Sequence, residues 1–390
     1  REQTLAGHEP TILVGRQIPG APETWHDALR GTIVQYDKGA SPPAWLKNGR
    51  EACTKLLQSA KDAGKPFDLL HTHFAYAAVG ALQSANGSLP HVRSFYGPWD
   101  AEGFVEDMGQ VQKSAAWKKP LLHGRALLKR HYRREVEADN LRQSHQVIIL
   151  SEQSRGEVLE FGYTPANIHK IPGGVNRERF FVDTANPDAR QEARGRAGLP
   201  AEAFPLLLSV RRLTTRMGLE NLIAALPTVR EAFPRTHLVI GGRGNLRESL
   251  EAQANALGVA DAVTFAGFIA DDKIVDYYRG ADAFVLPTLA LEGFGLVTVE
   301  ALACGTPVIG TPTGATPEIL RGIDERLLSA GTEPAHLADS ITAFCAARLT
   351  PGSWASDLSA KKLCDFVDAH YTWKKHAMSV EKVYRQVLGT

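Results

Sequence analysis

Residues 291–309 read LEGFGLVTVEALACGTPVI, and this stretch decides the fold. Just before it, residues 283–287 are a short apolar run that predicts a strand, and residues 306–310 predict another. Between them Gly293, Phe294 and Gly295 lead into an apolar helical pattern that stops at Gly305. Strand, glycine-rich turn, helix and strand in that order predict a parallel βαβ unit. Open parallel sheets bind ligands at the carboxyl ends of their strands. A turn into a helix presents free backbone N–H groups and the positive end of a dipole, which suits a phosphate or diphosphate. Glu292 precedes the helix and Glu300 lies inside it. Glu300 is too far along to cap those N–H groups, so its carboxylate is available to sugar hydroxyls. The alternative is an ordinary βα turn with two solvated glutamates.

Two more loops of this kind lie upstream. Leu206 to Val210 predicts a buried strand that ends in RRLTTRMG (211–218), ahead of a helix with Leu219, Leu222, Ile223 and Leu226 inward. Guanidinium forks at a strand end can clamp a diphosphate. Gly241, Gly242, Arg243, Gly244 and Asn245 follow the next strand. Either loop alone reads equally well as a solvated turn. Three anion-friendly loops after strands of one sheet say more than one does.

Working outward, strands are predicted at 11–14, 31–35, 68–71, 91–95, 146–150, 168–171, 205–210, 236–241 and 262–266, besides the two already given. Helical patterns between many of them predict parallel sheets covered on both faces. The rhythm breaks at 173–200, where Gly173, Gly174, Pro187 and Pro200 and many charges predict a linker. Domains are therefore expected at 1–172 and 201–370, followed by a helix at 371–390 with Trp373, Ala377, Val380, Val383 and Tyr384 at helical spacing. Residues 1–6 read as the tail of a helix. The first strand of such a domain and its glycine-rich loop normally precede that helix, so the sequence is expected to begin after them. The alternative is a fold that opens with the strand at 11.

Composition narrows the class. With 390 residues, one ordinary core is too small, and 44% hydrophobic with 22% charged residues is globular. Forty-four Lys and Arg against 43 Asp and Glu leave a net charge of +1, so bulk electrostatics recruits no partner and nucleic-acid binding finds no support. Cys53, Cys304, Cys345 and Cys364 lie far apart. That spacing excludes a disulfide framework or zinc ribbon and fits a reducing compartment, the cytoplasm. No apolar run reaches the length of a membrane span, and no secretory h-region opens the sequence.

The two glutamates with seven residues between them, Gly-Phe-Gly inside and EALACGTPVI after, resemble the signature of the retaining glycosyltransferases of family 4, which have the GT-B fold. The resemblance continues through Arg212-Leu213, Gly218, Gly267-Phe268-Ile269, Tyr277-Tyr278, Ala281-Asp282 and Gly314 to Glu318, covering about 205–320. Tyr371-Thr372-Trp373 resembles the start of the family's last helix, which crosses back onto the N-terminal domain. The resemblance implies an α/β GT-B architecture: two Rossmann-like doubly wound domains facing across a cleft, donor on the C-terminal one and acceptor mainly on the N-terminal one.

Roles follow from the resemblance position by position. Glu300 would hold the ribose hydroxyls and Glu292 the donor sugar with its developing positive charge. The backbone of Gly293, Phe294, Gly295 and Leu296 would meet sugar and diphosphate, Gly242 would border the same anion, and the backbone of Ile269 would read the base edge. Arg212 would hold the diphosphate. Many members have Lys just before the glycine of the next motif. Here Met217 stands there, and the adjacent Arg216 is the candidate replacement. There is no Asp-x-Asp motif. Arginines and a helix dipole would neutralise the departing nucleoside diphosphate, so neither cofactor nor divalent metal is expected.

The N-terminal half is less specific. His71 and His73, two apart on a predicted strand, share a face. A metal reading lacks a third ligand; the preferred one packs one histidine and lets the other line the cleft. Tyr96 stands before Gly97 where the family commonly has His. A phenol still donates a hydrogen bond but is a poor general base near neutral pH, and the family's route lets the leaving phosphate take the acceptor proton. Tyr96 joins Glu292, Arg212 and Arg216 as a catalytic candidate, with simple packing as its alternative. His73 and Trp99 are candidates on the acceptor side. Residues 113–134 carry eight Lys and Arg, no acid, and interleaved Trp117, Leu121, Leu122, Leu127 and Leu128. That pattern suits an anionic membrane surface; a solvated helix or an anionic-acceptor site reads it as well. Pro120 and Gly124 are expected to interrupt the helix.

The expected activity is transfer of a sugar from a nucleotide-diphosphate donor, with a uridine donor favoured over a guanosine one, to a glycan or lipid-linked acceptor in surface polysaccharide synthesis. The expected place is the cytoplasm, with peripheral contact at the inner face of a membrane. A GT-B epimerase or glycan phosphorylase, and a non-catalytic sugar-binding relative, are the competing readings.

Overall fold

A computed structural model describes residues 1–15, 22–183, 186 and 188–390; Pro187 lies outside the described residues. The chain divides into two compact units. One comprises Arg1–Pro172 with Trp373–Thr390, the other Gly173–Thr372.

The first unit holds β1 (Thr11–Val14), β2 (Thr24–Asp27), β3 (Gly31–Gln35), β4 (Leu70–Thr72), β5 (His91–Phe95), β6 (Gln146–Ile149) and β7 (Ile168–Lys170). They form one sheet of order β1-β3-β2 and a parallel one of order β4-β5-β6-β7. The strand β2 escaped the sequence pattern. It reads Thr-Trp-His-Asp, has no apolar alternation, and exists because it pairs antiparallel with β3. The core of the parallel sheet is Phe95, Leu141, Val147, Ile149, Val158 and Ile168 on one side. On the other, Val92, Ile148 and Ile171 meet Val380 and Val383 of the helix Trp373–Leu388. That last helix belongs to this unit by its apolar stripe, by His376 Nδ1 at 2.8 Å from Pro172 O, and by Tyr384, whose hydroxyl accepts from Gln3 Nε2 at 2.9 Å.

The second unit holds β8 (Leu206–Val210), β9 (His237–Gly241), β10 (Val263–Gly267), β11 (Ala283–Leu286) and β12 (Val308–Gly310), all parallel in the order β10-β9-β8-β11-β12. Leu206–Leu208, Leu238–Ile240 and Ala283–Leu286 are buried throughout, as strands with helices on both faces must be.

Two expectations are corrected. The stretch read as linker carries the helix Ala189–Ala197 and is part of the second unit. Its Arg194 is buried, donates to the carbonyls of Gly280, Ala201 and Ala203, and pairs with Asp282 at 2.8 Å. Charge in sequence read as solvation; in the fold the same charge is satisfied internally. Nor do Pro120 and Gly124 break the basic segment. The helix Lys119–Arg142 is continuous, with Pro120 in its first turn, where no intrahelical N–H is required, and Gly124 within it.

The four cysteines are buried free thiols. Among the described residues no helix is long and apolar enough to cross a membrane.

Candidate functional site

In the second unit the strand order reverses between β8 and β11, the place where open α/β sheets bind ligands. The loops that leave these two strands carry the candidate residues. Arg211 follows β8, and Thr288 and Glu292 follow β11. Arg211 donates through Nη2 to Glu292 Oε2 and through Nη1 to Thr288 Oγ1; the threonine hydroxyl donates to the same Oε2 at 3.0 Å. The Arg211 and Glu292 side chains are only 5% and 11% exposed, so the pair is shielded from bulk water.

The loop that presents Glu292 is gripped by its backbone. Arg216 is buried and donates from Nη1 to Leu291 O at 2.8 Å, and Leu289 N donates back to Arg216 O at 2.9 Å. Leu291 itself has φ +60°, a left-handed conformation costly for a leucine and held by these contacts. From the far side Ala315 N donates to Glu292 O at 3.0 Å. Gly314, at φ +60°, comes so close that an ideal Cβ would sit 2.0 Å from that oxygen. Here only glycine fits.

The helix Leu296–Ala303 begins beside this carboxylate, with Gly295 as its left-handed N-cap and no side-chain cap on its first N–H groups. Phe294 is buried, 5.7 Å between ring centroids from Tyr371, so its side chain is core and only its backbone borders the loop. Leu296 is exposed. Just over one turn on, Glu300 takes a hydrogen bond from the fully buried Tyr278 hydroxyl at 2.9 Å. Burial lifts the Glu300 carboxyl above its usual range, partly offset by Tyr278 and by Arg179. The loop after β9 closes on β8: an ideal Cβ on Gly242, at φ +128°, would lie 1.8 Å from Arg211 O. Arg212 is exposed beside Arg211, and Ile269 is half-buried after β10, its side chain against Gly241. Glu292, Gly293, Gly295, Glu300 and Gly242 therefore gather around one end of one sheet, whereas Arg216 is turned into the loop backbone. Arg211, which has no role of its own in the resemblance, is the arginine that meets Glu292. A motif two residues wide does not say which arginine points where.

In the first unit, His71 is packed: Nδ1 lies 2.5 Å from the Tyr384 oxygen and Nε2 2.8 Å from Ser94 Oγ. Burial first, then electrostatic repulsion from the neighbouring His73, His91 and Arg93 sites, holds its imidazole well below the ordinary value, hence neutral. His73 is exposed, stacks on His71 at 4.4 Å and lies 2.7 Å through Nδ1 from the Tyr96 hydroxyl. Tyr96 is 38% exposed, and burial raises its phenol above the usual range. Trp99 opens the helix Trp99–Lys113 between Tyr76 and the guanidinium of Arg133. Among the described residues, no three His, Cys, Asp or Glu side chains gather as a metal set.

A family model described as "Glycosyl transferases group 1" matches residues 191–355, and one described as "Glycosyltransferase Family 4" matches residues 1–179. An uncharacterized glycosyltransferase, MJ1607 of Methanocaldococcus jannaschii, is 34% identical over 319 residues, 81% of this chain and 75% of that protein. A GDP-mannose-dependent alpha-(1-6)-phosphatidylinositol monomannoside mannosyltransferase of Mycobacterium tuberculosis is 31% identical over 239 residues, 57% of this chain. The match spans 61% of that relative's length. Among solved structures, sucrose-phosphate synthase from Thermosynechococcus elongatus superposes with a TM-score of 0.75 at 23% identity, over 100% of this chain and 91% of that one.

Proposed function

The chain belongs to the family 4 glycosyltransferases of GT-B fold, and from that membership we propose that it moves a hexosyl group from a nucleoside-diphosphate sugar to a glycan or lipid-linked acceptor, with retention and without a divalent metal. The observation that carries this reading is the gathering of Glu292, Glu300 and the uncapped start of the helix Leu296–Ala303 at the switch point of the second unit's sheet. A diphosphate would lie on the N–H groups, ribose on Glu300 and the sugar beside Glu292. Arg212 and the helix dipole would oppose the charge that grows on the leaving diphosphate, the work a metal does elsewhere. The mannosyltransferase relative is named for GDP-mannose, so we place a guanosine donor ahead of the uridine donor that the sequence favoured.

Thermal melting against GDP, UDP and ADP, with and without EDTA, tests this. A nucleotide at a hundredfold its dissociation constant adds about 2.7 kcal/mol to the folded state, or about 5–10 °C for a unit of this size. A shift of that order with GDP that survives EDTA supports the donor site and its metal independence. A shift with UDP alone returns the uridine donor, one lost in EDTA ends the metal-independent reading, and none with any nucleotide ends the donor-site assignment.

The acceptor proposal has its own support in the first unit. Two acids of the helix Trp99–Lys113, Asp100 and Asp107, pair with basic residues of the helix Lys119–Arg142. Asp107 holds Lys129 at 2.9 Å and Arg133 at 2.8 Å, and Asp100 holds Arg130 at 3.3 Å. Lys118, Lys119 and Arg125 remain on the outside with Trp117, Leu121 and Leu128, which are 77%, 67% and 72% exposed. Indole and leucines flanked by cations suit an anionic bilayer surface, each cation adding about 1 kcal/mol near it. The protein is expected to sediment with vesicles containing phosphatidylglycerol at low salt, and to be released by Trp117→Ser with Leu128→Ser. Equal recovery with neutral vesicles removes the preference for an anionic surface, and none with either removes the membrane contact.

A further inference from the structure

Glu292 is held asymmetrically. Both of its side-chain hydrogen bonds, from Arg211 and from Thr288, fall on Oε2. Oε1 takes none from the described residues and points to the helix start, 3.6 Å from where a Cβ on Gly295 would be. Arg211 is committed to this task, since its other terminal nitrogen donates to Thr288, itself fully buried. Backbone closes in behind: Arg211 N donates to Gly241 O at 2.9 Å, and Gly242 abuts Arg211 O. The guanidinium is thus a fixed fork across the switch point, tying the loop of β8 to the loop of β11.

We propose that Arg211 is the positioning residue for Glu292: with Thr288 it pins Oε2, so that Oε1 alone faces the donor sugar. This rests on the reading of Glu292 as the carboxylate beside that sugar. A carboxylate free to rotate offers either oxygen at scattered positions; one tied by two donors on a single oxygen presents the other in one place. Arg211 acts through Glu292, and the diphosphate falls to Arg212 and the helix N–H groups.

The test compares Arg211→Met, Arg211→Lys and Thr288→Val in the full chain. Turnover is read as nucleoside diphosphate released from the sugar donor, affinity by calorimetry with GDP and UDP. Arg211→Met should lower kcat about 100-fold, the scale of a reacting group displaced by about 1 Å, with nucleotide affinity unchanged. Arg211→Lys should recover most of the loss, because an ammonium can still donate to Oε2, and Thr288→Val should give a smaller loss of the same kind. Donor-free melting of Arg211→Met, Glu292→Gln and the double variant should be non-additive, as for residues in contact. Nucleotide affinity falling in step with turnover would make Arg211 a diphosphate ligand, and additive midpoints would dissolve the pair; either overturns the proposal. If the unsubstituted protein turns over no nucleotide sugar, glycosyl transfer fails as the activity, and the melting cycle still decides whether Arg211 holds Glu292.

Discussion

Glu292→Gln is expected to lower turnover by at least about 100- to 1,000-fold while leaving nucleoside-diphosphate affinity close to that of the parent. The size follows from what the side chain would do. A preorganised charge at the place where opposite charge develops contributes on this scale in a water-poor site, and Glu292 is 11% exposed and held by two donors. The amide keeps volume and can still accept from Arg211 and Thr288, so the loop stays; what disappears is the negative charge available to an oxocarbenium-like centre. In the proposed site nucleotide affinity would belong to other groups, the helix N–H groups, Glu300 and Arg212. A variant with parental turnover would place the sugar elsewhere. One that loses nucleotide binding as much as turnover would make Glu292 a ligand of the nucleotide itself.

The largest stability effect is expected in the other unit. Arg93 on β5 pairs with Glu137 of the helix Lys119–Arg142 at 2.8 Å, with side chains 3% and 1% exposed. Arg93→Met leaves a buried carboxylate without its cation, which typically costs about 3–5 kcal/mol. Denaturant unfolding followed in the first unit reads the loss, and Arg93→Met with Glu137→Gln should recover most of it because no buried charge is then left alone. The pH dependence has a definite sign. Burial already raises the Glu137 carboxyl above its unfolded value, with Arg93 opposing that rise. A carboxyl whose folded value is raised destabilises the fold when ionised, and the fold recovers as pH falls through that raised value. Without Arg93 the rise is larger, so the deficit of Arg93→Met should be greatest near neutral pH and shrink on acidification. A deficit independent of pH would mean that lost packing, not the stranded charge, is responsible.

Much of this protein is legible in one dimension because its physics is local there. Eleven strands were placed from apolar runs, since a parallel strand covered on both faces has to be apolar along its length. The glycine-rich loops of the second unit are legible because glycine, glutamate and arginine at strand ends serve backbone geometry and anion chemistry that the local sequence displays. Where partners are distant in sequence, reading failed. The strand β2 needs β3 to exist at all. The helix Ala189–Ala197 looks like charged linker until Arg194 meets Asp282, 88 residues on. Pro120 was read as a break because its place in the first turn of a helix depends on where that helix begins.

By itself, then, the amino-acid sequence determined the fold class and the pair of glutamates around the helix start, because hydrophobic periodicity and glycine placement are set residue by residue. Only the tertiary structure decided which arginine serves which acid. Arg211, Arg212 and Arg216 are near-equivalent as letters. Folded, Arg211 pins Glu292 across 81 positions, Arg216 holds the carbonyl of Leu291, and Arg212 stays exposed. A guanidinium's partner is set by the direction its backbone leaves the strand and by what the neighbouring strand's loop brings within reach, and both arise only when β8 and β11 lie side by side.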